Sequence, residues 1–114
     1  MDFQLLACSK APDGWGCRIA IPEGHPVFEG HFPGRPVMPA IAHLALAAQV
    51  LAAATGRAAA IVAVPFLRLR RPVVPGEVLE VSIHQPASDG AVPFEIRRGE
   101  ERVSNGILVV DWRE

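Results

Sequence analysis

The sequence has no excess charge of either sign: 11 Lys and Arg stand against 12 Asp and Glu, a formal net charge of -1. That balance excludes a general nucleic-acid or polyphosphate partner, because phosphate binding relies on clustered, surplus Lys and Arg. An export signal is also lacking, since the N-terminus MDFQLLACSKAPDGW has no basic region followed by a long apolar run. So is a membrane span. The most apolar stretch, Pro39 to Ala54, contains His43 and Gln49 and is too short to cross a bilayer comfortably. The expected compartment is the cytoplasm, where the only two cysteines, Cys8 and Cys17, are expected as reduced thiols. Pro12-Asp13-Gly14 lies midway between them and would let them face each other across a hairpin; buried structural filler is the preferred reading. The four His and two Cys show no ligand spacing, so neither a metal nor a cofactor is expected.

What is present suits one ordinary domain, residues 1–114, with half of the residues hydrophobic and hence a core to bury. Phe3 to Cys8 reads as a first strand, Pro12-Asp13-Gly14 as a turn and Trp15 to Ile21 as the returning strand. A Gly- and Pro-dense segment, IPEGHPVFEGHFPGRPVMP, then excludes regular helix and central strand. Its anchors Val27, Phe28, Phe32 and Met38 favour an ordered, packed loop. Pro39 is expected as the first helical residue, with AIAHLALAAQVLAAAT following and Gly56 as the C-terminal cap. The helix is apolar nearly all round, the pattern of one enclosed by other elements. Strands are expected again at Ala58 to Leu69, Glu77 to Gln85, Val92 to Arg98 and Arg102 to Trp112, with Gly99-Glu100 at the last hairpin tip. Two strands, one buried helix and four strands predict an α+β fold, an antiparallel sheet wrapped around a central helix.

Chemistry concentrates in Gly30-His31-Phe32-Pro33-Gly34-Arg35-Pro36-Val37-Met38-Pro39. The ordinary structural or solvated reading is preferred for His25, His43 and His84. His31 differs in its surroundings. Gly30 and Gly34 permit tight backbone geometry and close approach of a ligand, and three prolines stiffen the segment. A helix N-terminus follows, with unpaired N–H groups and the positive end of a dipole. A base beside such donors suits abstraction of a proton next to a carbonyl.

The run PVFEGHFPGRPVMPAI resembles the signature of bacterial 3-hydroxyacyl-acyl-carrier-protein dehydratases. A second segment, FLRLRRPVVPGEVLEV, is similar to the strand–turn–strand that follows the helix in that family. The resemblance covers about Ile21 to Trp112 and implies a hotdog fold, at least a dimer, with active sites at the subunit interface. It assigns His31 as the base that removes the C2 proton of a 3-hydroxyacyl thioester. Ala40, where the family commonly has glycine, would polarise the thioester carbonyl through its backbone N–H. Gln49 matches a glutamine of the family's helix and joins the implied substrate site with Gly34. Phe28, Phe32 and Met38 either line an acyl tunnel or pack the loop onto the sheet.

The chain departs from the pattern at one decisive position. Fourteen residues after His31, where the family carries the Glu or Asp that handles the leaving hydroxyl, stands Ala45, and Pro39 to Thr55 contain no carboxylate. His43 is expected about 200° away around the helix from Ala45. Loss of one member of an acid–base pair costs about 10²–10⁴ in rate. The resemblance thus leaves open a dehydratase of fatty-acid or related lipid or polyketide biosynthesis and a catalytically impaired partner subunit or acyl-thioester-binding protein. A hotdog thioesterase ranks below both. It also implies substrates held on acyl carrier protein or coenzyme A, and a homodimer or higher oligomer, with a paralogous dehydratase as a further partner. The missing Pro-His-Arg-type N-terminal stretch likens the chain to short relatives of specialised pathways. Arg68, Arg70 and Arg71 are either a solvated strand end or a docking patch for the acidic surface of a carrier protein.

Overall fold

Pro12 and Asp13 close a two-residue turn between β1 (Gln4–Ala11) and β2 (Gly14–Ile21), as the turn residues predict. The structure is a computed structural model and describes residues 2–29, 34 and 36–113. Antiparallel register sets Cys8 opposite Cys17 with their Cα atoms 4.1 Å apart, and the two form a disulfide. This corrects the expectation of reduced filler thiols. Directly opposed residues of an antiparallel pair bring their side chains within bonding reach, and Cys8 is exposed rather than buried.

After β2 the chain passes through a short 3-10 turn, Pro26–Phe28, and reaches α1 (Ala40–Thr55). Four strands follow: β3 (Ala58–Leu69), β4 (Glu77–His84), β5 (Ala91–Arg98) and β6 (Glu101–Arg113). They join the first hairpin in one antiparallel sheet of order β1-β2-β4-β5-β6-β3. The architecture is the expected α+β hotdog fold, a sheet curled around one long helix.

Pro39 is the N-cap of α1 rather than its first residue: its ψ of 160° is extended, and its carbonyl accepts from Ala42 N–H. Gly56 ends the helix as expected, at φ +71° with its N–H on Ala52 O. The buried face of α1 carries Ala42, His43, Leu46, Ala47, Val50 and Leu51. It meets Ile19, Leu79, Val81, Phe94, Ile96 and Leu108 from the concave side of the sheet. Alternation in β4 and β5 turns Leu79, Val81, Phe94 and Ile96 inward and their neighbours outward. Gly106 lets the Phe94 ring approach, since an added Cβ would lie 2.9 Å from it.

Enclosure of α1 is one-sided within a single chain. Ile41 is 63% exposed, and Leu44, Ala45 and Ala48 are only half-buried. The helix is apolar all round because its outer face also needs a cover that the sheet does not supply. β3 is similarly open: it is an edge strand, and Val62, Val64 and Phe66 are exposed along it. No helix among the described residues is long and apolar enough to cross a membrane.

Candidate active site

The signature segment enters from a capped turn. His25 is the N-cap of the 3-10 turn, and its Nδ1 accepts from Val27 N–H at 3.0 Å. That bond requires the proton on Nε2, which donates to Asp2 O at 2.8 Å. The imidazole also stacks on Phe3, with ring centroids 5.1 Å apart. Val27 and Phe28 are buried in the core just before the signature. His31 and Phe32 themselves lie outside the described residues.

The segment leaves through Gly34, in the left-handed region at φ +78°, and through Met38, which is buried in the core. Met38 N–H donates to Val73 O at 2.8 Å. That bond ties the two stretches that carry the family resemblance, since Val73 sits in the Pro72–Gly76 turn. Ala40 is exposed at the helix N-terminus, where α1 has neither a side-chain cap nor an acidic residue in its first turn. No acidic side chain of that first turn offsets the positive end of the helix dipole.

Ala45 lies on the open face of α1, where the family's carboxylate is expected. Gln49 is engaged elsewhere: its Nε2 donates to Phe3 O at 2.7 Å, and its Oε1 accepts from Phe3 N–H at 2.8 Å. The amide thus holds the N-terminal strand, and substrate binding by Gln49 would compete with that grip. His43 points to the sheet side, as its spacing from Ala45 implies. It is 2% exposed, with Nδ1 2.8 Å from Ser104 Oγ. Burial lowers its pKa to about 4, so the ring is neutral at pH 7.

The basic cluster divides in two. Arg71 is paired with Glu101 at 3.3 Å. Arg70 has no carboxylate within salt-bridge reach among the described residues, and its Nε donates to Asn105 Oδ1 at 3.2 Å. Its guanidinium pKa is lowered by desolvation and by the charges of Arg68 and Arg102. Arg70 falls just past the end of β3, and both Arg70 N–H and Arg71 N–H reach Val103 O. Arg68 is paired in register with Asn105, the residue whose side chain Arg70 also reaches.

A family profile described as ApeI-like, ApeI dehydratase, matches residues 8–107. The chain belongs to the ApeI-like dehydratase family. A Desulforamulus reducens protein named 3-hydroxyacyl-acyl-carrier-protein dehydratase FabZ is 35% identical over 94 residues, covering 74% of this chain and 66% of the relative. A protein of the same name from Paramagnetospirillum magneticum is 35% identical over 96 residues, 75% of this chain and 57% of its own length. The chain thus spans less than two thirds of these curated relatives. Among solved structures, the dehydratase heterocomplex ApeI:P from Xenorhabdus doucetiae superimposes with a TM-score of 0.85 at 16% identity, covering 96% of this chain and 98% of that one. At that identity the likeness shows the fold.

The structural reading preferred for His25 and His43 fits both positions, although their partners were not read from the sequence. His25 had a local signal, since a residue directly before a proline at the first helical position is a capping candidate. His43 had one too: spacing of three, four and seven to Leu46, Ala47 and Val50 puts it on the buried face.

Proposed function

We propose that this ApeI-like family member binds 3-hydroxyacyl thioesters on acyl carrier protein or coenzyme A and interconverts them with trans-2-enoyl thioesters. His31 takes the proton from C2, and Ala40 N–H at the start of α1 stabilises the enolate-like oxygen. Expulsion of the C3 hydroxyl then needs a proton. The observation that carries this reading is the bond from Met38 N–H to Val73 O, which joins both family motifs beside an uncapped helix N-terminus. The open edge of β3 and the open face of α1 support assembly as at least a dimer. Arg68 and Arg70 serve in this reading to attract an acidic carrier protein. The reading groups the protein with lipid or polyketide biosynthetic enzymes.

Ala45 favours a second reading, because α1 contains no carboxylate to protonate the leaving hydroxyl. The chain would then act as a subunit beside a paralogue that contributes the acid across the interface. The solved relative's description as a dehydratase heterocomplex supports this option. Hydration of a short trans-2-enoyl thioester, followed by loss of the conjugated absorbance, tests both. Turnover abolished by His31→Ala supports the first reading, and the absence of turnover in the isolated protein rejects it. A rise in rate for Ala45→Glu identifies the missing acid as the only defect.

A further inference from the structure

The Pro72–Gly76 turn pins the chain on both sides of the signature segment. On the entry side Gly76 N–H donates to Ile21 O at 2.7 Å, and on the exit side Val73 O accepts from Met38 N–H at 2.8 Å. Residues 22–37, which include His31, are thus strung between two points of one five-residue turn. That turn does not hold its own shape through the backbone. Pro72 and Pro75 have no N–H to give, and among the described residues no backbone hydrogen bond runs within it.

Two side chains shape it instead. Glu77 Oε1 accepts from Val74 N–H at 2.7 Å. The other oxygen, Oε2, accepts from Arg98 Nη1, which also donates to Pro72 O at 3.2 Å. One guanidinium therefore grips the first residue of the turn directly and its middle through Glu77. Arg98 is anchored in turn on Glu101, through Nε at 3.2 Å and through Nη2, where β6 begins. The Glu77 side chain is only 14% exposed, so this charge-assisted pair is screened less than a surface pair. We propose that Arg98, acting through Glu77, is a positioning residue for the signature segment: it fixes the turn whose Gly76 N–H and Val73 O set where that segment starts and ends. The catalytic part rests on the reading above, in which His31 is the base; Arg98 touches no substrate in it. A displaced turn moves both anchor points together, and an error of about 1 Å at a reacting group can cost about 10²-fold in rate.

Arg97 supplies the control. It makes bonds of the same kind on the same hairpin, to Glu95 Oε1 at 2.7 Å and Glu100 O at 2.6 Å, but its partners lie outside the turn. The test compares Arg98→Met, Arg98→Lys and Arg97→Met in the whole chain, by amide hydrogen exchange and by hydration of a short trans-2-enoyl thioester. In Arg98→Met, exchange at Met38 and Gly76 is expected to quicken about tenfold, equivalent to about 1.4 kcal/mol, while Val50 and Leu51 inside α1 keep the wild-type rate. Arg98→Lys retains a charge for Glu77 but loses the planar fork that also reaches Pro72 and Glu101, so an intermediate effect is expected. Turnover should follow the same order, with kcat lowered and KM unchanged. Absence of turnover in the wild type rejects the proposed reaction, and the exchange comparison then decides the positioning of the segment by itself. If Arg98→Met fails to fold, Arg98→Lys decides by the same readouts. Wild-type exchange at Met38 and Gly76 in the Arg98 variants overturns the proposal, as does equal acceleration in Arg97→Met, which would mark general loosening of the hairpin. Quickened exchange with unchanged kcat overturns its catalytic part.

Discussion

Gln49 holds both backbone polar groups of Phe3, its amide donating to the carbonyl at 2.7 Å and accepting from the N–H at 2.8 Å. The mid-helix residue thereby fastens the N-terminus, and the Phe3 ring in turn stacks on His25, the cap of the turn that leads to His31. Gln49→Leu leaves two half-buried backbone groups unpaired and should cost about 1–3 kcal/mol. Urea unfolding measures this. Unchanged stability would show that the grip contributes nothing and return Gln49 to the substrate site.

Acid should destabilise the protein through His43. Its folded pKa of about 4 lies below the ordinary histidine value of 6.5, so between these values the unfolded chain binds the extra proton. Stability from this group is complete above about pH 6.5 and is lost as pH falls toward 4. The loss amounts to at most about 3 kcal/mol at 1.36 kcal/mol per pKa unit. The difference in unfolding free energy between wild type and His43→Leu, followed from pH 7.5 to 4 (a range set by that shift), should shrink with acid. A constant difference would contradict a neutral, buried ring.

The β1–β2 disulfide predicts the thiol count. Denatured, unreduced protein should show no free thiol, and reduction should release Cys8 and Cys17 together. Reduction is expected to lower stability by about 2–4 kcal/mol. Two titratable thiols before reduction would mean that the pair is merely juxtaposed.

Edge strand β3 carries the self-association prediction. Val62 and Phe66 are 60% and 44% exposed beside an unpaired strand edge, the arrangement that recruits another strand. Sedimentation should give at least a dimer, and Phe66→Lys should shift it toward monomer. A monomeric wild type would remove the interface on which the proposed site depends.

The order of elements, both hairpin turns, the Gly56 cap and the family motifs were legible in the sequence, because each rests on local chemistry. Proline and glycine dictate backbone angles within a few residues, and strand alternation needs only the nearest neighbours. The gap at Ala45 was legible for the same reason. Tertiary structure alone decided the rest. Cys8 meets Cys17 through strand register, Gln49 holds Phe3 across 46 residues, and His43 finds Ser104 across 61. Polar side chains like these can satisfy their bonds in several ways, and only the folded arrangement determines which partner is within reach. The apolar outer face of α1 shows the same division: sequence made it hydrophobic, while the fold left it uncovered because one six-stranded sheet covers only one side of the helix.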